Sequence, residues 1–339
     1  MRKISLWFAL IIVATLAILA IVFRNKILSI INRNSGENPI RIGWQIPWAT
    51  EGQLAQILKH TSILKENGLS GDFKGFASGA PLNEAALAGS VDVIFTADQP
   101  AATLLSKDPN WTIIGRLMYN RVSLYVPPKS PIQSVKDLKS KTVGMPFGAA
   151  AQRMALKEEE GAGLNPNKDV KNINLDIYEQ SDLVRDKNAV KWGTIDALAG
   201  FDPTPAILEE KGLIRNLAVN KVVSVIVMSN SYIKNHPEAP TLFLKSMNSA
   251  YQYYKDNTVQ ADTWFAEESK LSITSHALQI ASGLEPNLQV NSNIRLGLNS
   301  DDLKVLQDAA DFIYSQGLIK TKVNMAQFVN QTYLKYPLK

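Results

Sequence analysis

The sequence predicts an α/β protein of two lobes built to one plan. Two observations carry that prediction. The first is a repeat: the stretch from Gly89-Ser90-Val91-Asp92 to Ala97-Asp98-Gln99-Pro100 returns as Gly193-Thr194-Ile195-Asp196 to Phe201-Asp202-Pro203. Each copy carries a second Asp six residues after the first, with a Pro just beyond. Such a segment reads as a helix-ending glycine, a short buried strand, and a loop into the next helix. The second observation is a pair of apolar runs, 122–126 and 222–228, that flank the block holding the second copy. They are natural crossover strands into and out of a second lobe. Open α/β sheets take ligands outside the carboxyl ends of their strands. Two lobes facing each other across such edges form a clamp, so the expectation is a ligand-binding protein.

The elements follow in order. A polar, basic linker ends at Pro39, and residues 40–44 form the first strand. A loop containing Pro47, Trp48 and Ala49 leads to a helix over 51–66, with Thr50 as its N-cap and Glu51 suiting the positive end of the helix dipole. Residues 73–77 alternate as a strand. Ser78-Gly79-Ala80-Pro81 opens a helix whose Pro81 fits the first turn, and Gly89 ends it. Residues 91–96 form a strand, and a helix begins at Asp98 or Gln99. The second lobe repeats this plan: strand 141–145, loop 146–150, helix 151–160, strand 170–175, helix 182–191 and strand 196–199. From Pro240 the pattern is helical to the end, interrupted near 283–286. The division is therefore 1–38 as N-terminal segment and linker, 39–121 plus 229–339 as lobe one, and 122–228 as lobe two. The first strands of the two lobes are expected in separate sheets.

Composition excludes several classes. The sequence has 36 Lys+Arg and 31 Asp+Glu, yet five of the basic residues and none of the acidic ones lie in the first 36 positions. The remainder is formally neutral, so it has no electrostatic footprint for nucleic acid. Residues 4–23 are uncharged, and twenty helical residues span about 30 Å, the thickness of a bilayer core. An uncleaved signal-anchor helix is expected, with a cleaved signal and a soluble periplasmic protein as the alternative. Its flanking charges do not fix its orientation. The chain has no Cys, which removes disulfides, thiolate metal sites and cysteine catalysis together. His60, His236 and His276 are isolated, no Gly-x-Ser-x-Gly or phosphate-loop motif occurs, and neither enzyme, metal nor cofactor is expected.

Four segments carry a family resemblance: residues 79–89 with Asp92, the run 134–144 (SVKDLKSKTVG), residues 193–203, and Gln316-Gly317-Leu318-Ile319. On these the chain resembles periplasmic solute-binding proteins of ABC transporters in the nitrate, taurine and aliphatic-sulfonate group. That group shares its fold with pyrimidine-precursor synthases of thiamine biosynthesis. The resemblance implies a type II periplasmic-binding-protein fold from about residue 40 onward, placed outside the cytoplasm. It also implies capture of a small anionic or zwitterionic solute and delivery to ABC permease subunits. Two departures stand out: the lipoprotein cysteine frequent in such proteins is missing, and a longer apolar N-terminus replaces it. The synthase alternative would need a cysteine-bearing signature. A ligand-sensing ectodomain without a permease is a third reading.

A binder of this kind captures an anion with helix N-termini, whose free N–H groups and dipole favour negative charge. Four loops deliver such termini to one edge: Trp48 and Thr50; Ser78, Gly79 and Ala80; Ala97, Asp98 and Gln99; and Gly148, Ala149 and Ala150. The small residues would let backbone approach the ligand, so a bulky residue at Gly79 or Ala149 should block binding and spare the fold. Trp48 either walls the ligand or packs the lobes together. Asp98 reads as a helix cap. Asp202, after Phe201, is assigned to the ligand because the family motif places its Asp at the cleft, where it would receive an ammonium group. Arg121 reads as a strand-start residue, and Asp92 and Asp196 as structural.

Overall fold

The computed structural model describes residues 38–289 and 291–334. Its strands are β1 (Asn38–Gln45), β2 (Leu69–Phe76), β3 (Val93–Ala97), β4 (Trp111–Val126), β5 (Thr142–Met145), β6 (Lys171–Asn174), β7 (Ala197–Phe201) and β8 (Arg215–Ser229). They form one mixed sheet in the order β2-β1-β3-β8-β4-β7-β5-β6. At one end β1 pairs in parallel with β2 and β3; at the other β5 pairs in parallel with β6 and β7. The long strands β4 and β8 pair antiparallel between them, and join β7 and β3 respectively. Separate sheets were expected, and that expectation is corrected. The predicted crossovers are parts of 16- and 15-residue strands that run unbroken through both ends of one sheet.

The repeat is real in the structure. Gly89 and Gly193 both have positive φ, 66° and 59°, the left-handed conformation that glycine takes without a Cβ penalty. The first Asp of each copy then does the same work. Asp92 donates its N–H to Arg41 O and accepts from Arg41 N at 2.9 Å; Asp196 donates to Thr142 O and accepts from Thr142 N at 2.9 Å. Each Asp thus ties its strand to the first strand of its own end of the sheet, as the structural reading of both residues requires.

The helices are α1 (Glu51–His60), α2 (Ile63–Glu66), α3 (Gly79–Leu87), α4 (Asp98–Lys107), α5 (Ala150–Gly161), α6 (Ile177–Leu183), α7 (Thr204–Glu210), α8 (Asn230–Asn235), α9 (Ala239–Asp256), α10 (Thr258–Ser269), α11 (Ser275–Ser282) and α12 (Ser300–Ser315). They cover both faces of the sheet, and the period-2 alternation of the strands sorts side chains between them. Phe95, Ile226 and Met228 join Leu54 and Ile57 of α1 and Phe243 and Met247 of α9 on one face. Ile94, Val225 and Val227 join Leu82, Leu104, Leu306 and Ile313 of α3, α4 and α12 on the other. Each such buried side chain contributes about 1.5–3 kcal/mol relative to exposure.

Local chemistry moves some boundaries. The helix expected over 51–66 breaks after His60, where Thr61 turns extended and its hydroxyl donates to Ile57 O. The helix expected over 182–191 instead spans Ile177–Leu183. Asp176 and Glu179 form a capping box that starts it five residues early, and Asn188 N–H donates to Asp186 Oδ1 in the turn that follows. The interruption near 283–286 extends to Asn299, with one 3-10 turn at Pro286–Leu288. Among the described residues no helix is long and apolar enough to cross a membrane. The apolar segment 4–23 lies outside the described residues.

Candidate ligand site

Because β1 and β3 run opposite to β5 and β7, the carboxyl ends of the two halves point toward each other. The register measures the gap. Ala97, at the end of β3, aligns with Ser224 and so with Met118 of β4; Phe201, at the end of β7, aligns with Val122 of β4. Four residues of strand separate these levels, about 13 Å at roughly 3.3 Å per residue. Loop side chains fill that gap in this structure. The loops after β1, β3, β5 and β7 close over it, and they carry the sequence-predicted residues.

The loops meet. Trp48 stacks on Phe201 with ring centroids 4.5 Å apart and planes 12° from parallel. Ala49 N–H donates to Asp202 O at 3.2 Å, and Asn120 Nδ2 donates to Ala49 O at 2.8 Å. Asp98 of α4 forms an ion pair with Arg153 of α5, and beside it Gln99 Nε2 donates to Gln152 Oε1 at 3.2 Å. Gly148 has φ +80°, and a Cβ built on it would lie 3.1 Å from Ala80 Cβ. Trp48, Ala97, Ala149, Ala150 and Phe201 fall in one apolar cluster. The two ends are therefore in contact, with their aromatic and small residues interleaved.

Helix ends line this seam. Ser78, Ala97 and Ala149 stand at the N-caps of α3, α4 and α5, and none places a side-chain acceptor on the first turn. Asp98 is the first residue of α4 rather than its cap, and its carboxylate accepts from Gln99 N. Around the seam sit buried polar atoms with no partner of hydrogen-bond geometry: both amide atoms of Gln45, Trp48 Nε1, Glu51 Oε2, Gln99 Oε1 and Asn120 Oδ1. Orphaned buried polar atoms are rare in folded proteins and call for a missing partner.

Several expected roles change. Thr50 is fully buried at φ 54°, an outlier for a β-branched residue, and its hydroxyl donates to Ser282 Oγ at 3.0 Å instead of capping α1. Asp202 is fully buried and already partnered: it accepts from Arg121 Nε at 2.7 Å and from Ala206 N at 3.0 Å. Burial pushes its carboxyl upward and the Arg121 guanidinium draws it back. Arg121 thus pairs with Asp202 and Glu209 rather than lying solvated. Gly148 N–H is taken by Gln152 Oε1 at 2.8 Å and Ala149 N–H by Pro146 O at 3.3 Å, so the N–H groups of that loop left to a ligand begin at Ala150. Gly79 is small for another reason. A Cβ there would lie 2.6 Å from Pro100 Cβ, within one end of the molecule; the expectation that a bulky residue there spares the fold is corrected.

The description "NMT1/THI5 like" belongs to the family model that matches residues 64–261. The chain belongs to that family. A relative, the taurine-binding periplasmic protein of Escherichia coli (strain K12), is 23% identical over 307 residues, covering 86% of this chain and 92% of the relative. The periplasmic aliphatic sulphonate binding protein SsuA of Escherichia coli superposes with a TM-score of 0.69 at 20% identity, over 86% of this chain and 92% of that one. The desulfurization enzyme DszB superposes with a TM-score of 0.61 at 15% identity, over 88% and 97%. These likenesses establish the periplasmic-binding-protein fold, a fold found in both a binding protein and an enzyme.

Sequence reading passed over Gln45, Glu51, Asn120, Gln152 and Arg153. Glu51 was visible only as a first-turn acid, and Arg153 only as one residue within the helix expected over 151–160. Nothing local distinguishes such residues from solvated ones; the meeting of loops and helices from the two ends of the sheet buries them.

Proposed function

We propose that this NMT1/THI5-like chain is an extracytoplasmic solute-binding protein. It closes on a small anion of the sulfonate class and delivers it to an ABC permease. The observation that carries this reading is the seam: uncapped N-termini of α3 and α5 flank a set of buried, unpartnered polar atoms between two aromatic-lined sheet ends. Helix N-termini hold anions without a net positive charge, which suits a formally neutral globular part. The two ends would move as bodies, 39–121 with 229–339 against 122–228, hinging where β4 and β8 cross. Register shifts in that ladder at Ile113/Gly115, Arg116/Met118 and Leu124/Tyr125 give it places to bend. The taurine and sulphonate relatives support this solute class, and residues 4–23 would export or tether the protein.

A thermal-shift series tests this. Taurine or ethanesulfonate at a hundred times its dissociation constant should stabilise the fold by about 2.7 kcal/mol, raising Tm by several degrees. Nitrate and bicarbonate serve as smaller anions. No shift with any sulfonate would refute the assignment.

A further inference from the structure

Three carboxylates are fully buried at the seam: Glu51, Asp98 and Asp202. Asp98 has Arg153 and Asp202 has Arg121. Glu51 has no cation among the described residues. Its Oε1 accepts from Gln45 N–H at 2.7 Å and its Oε2 has no partner. The Gln45 amide is near enough to favour the anion slightly, yet neither amide atom reaches hydrogen-bond geometry. Charged and titratable groups on the neighbouring elements face elsewhere. Arg41 of β1 holds Asp92, Tyr254 of α9 and Asp262 of α10 meet each other and Gln53, and Lys59 of α1 pairs with Glu268. Lys74 and Asp72 of β2 pair with each other.

Building on the sulfonate reading, we propose that Glu51 is the selectivity residue of the cleft and takes the ammonium group of an amino-sulfonate, with the Gln45 amide beside it. A buried carboxyl without a counter-charge keeps its proton, and desolvation holds Glu51 well above the ordinary carboxylate range. An ammonium arriving within about 4 Å reverses that balance and expels the proton. The balance is simple: the ligand enters as a zwitterion, Glu51 ionises against its ammonium, and one proton leaves to solvent. Asp98 and Asp202, each already facing a guanidinium, have no such role. The ligand class is therefore a compact sulfonate carrying an amine, distinguished from plain alkanesulfonates of the same length.

Calorimetry of the full chain with taurine and with ethanesulfonate, in buffers of different ionisation enthalpy at pH 7, tests this. The expected result is release approaching one proton per taurine and none per ethanesulfonate. Glu51→Gln should abolish the release and weaken taurine tenfold to a hundredfold, the range of a charged hydrogen bond, while ethanesulfonate changes no more than a few-fold. Ethanesulfonate and taurine binding equally, with no proton released, would overturn the Glu51 assignment and leave the sulfonate reading standing. So would loss of both ligands in a folded Glu51→Gln, which would make Glu51 a partner of the anion. Failure of both ligands to bind the unaltered protein would overturn both readings.

Discussion

Replacing Arg153 by Met removes the guanidinium that faces Asp98 and keeps most of the side chain's bulk. Asp98 is fully buried and the Arg153 side chain is 9% exposed, so the pair has almost no water when the two ends of the sheet are in contact. Breaking a buried pair by removing one partner costs about 3–5 kcal/mol. The carboxyl has an escape, which is to take up a proton. From an ordinary value of 3.8, protonation at pH 7 costs about 4 kcal/mol at 1.36 kcal/mol per pH unit, so the penalty has that ceiling. If the ends separate without ligand, Asp98 is solvated then, and the whole penalty falls on closure. Affinity for taurine should drop by about three decades at pH 7. At pH 5 protonation costs only about 1.6 kcal/mol, so the deficit relative to the unaltered protein should shrink to about one decade. Isothermal titration at both pH values, with far-UV circular dichroism as a check on folding, reads the effect. Adding Asp98→Asn should recover much of the loss, since the uncompensated charge is then gone. Unchanged affinity in a folded Arg153→Met protein, or a deficit independent of pH, would refute the argument that this pair forms on closure.

Two further outcomes concern stability. Glu159 of α5 is buried beside Asn172, whose Nδ2 donates to it at 3.0 Å, and burial pushes its carboxyl from 4.5 up to about 7. A raised folded value means that its stability contribution is complete below pH 4.5 and is lost as pH rises to about 7, up to about 3 kcal/mol. Glu159→Gln should therefore melt higher than the parent at pH 8 and within a degree or two of it at pH 4; equal melting temperatures at pH 8 would show the carboxyl to be hydrated. Gly79→Ala should lower the melting temperature, because its Cβ meets Pro100 Cβ and Cγ at 2.6 and 2.7 Å and overpacking costs about 1–3 kcal/mol. An unaltered melting temperature would mean that α3 can shift away from α4 freely.

The α/β class, the repeat and the loops of the seam were legible in the sequence, because these depend on short-range chemistry. Glycines at positive φ, period-2 apolar runs and a recurring Asp are local features, and Gly89, Gly193, Asp92 and Asp196 do in the structure what their pattern says. The sequence also brought Trp48, Ala97, Ala149 and Phe201 to one place, since each follows a strand whose carboxyl end points to the same gap. The rest came from long-range packing. That β4 and β8 run unbroken through both halves depends on pairing between residues about a hundred positions apart, which no local pattern encodes. Which carboxylate has a cation was equally invisible. Asp202 and Arg121 meet across 81 residues, Asp98 and Arg153 across 55, and among the described residues Glu51 has no such cation. Charge balance in a buried site is a property of packing, which pairs Asp202 with Arg121 and leaves Glu51 as the carboxylate proposed here for the ammonium group.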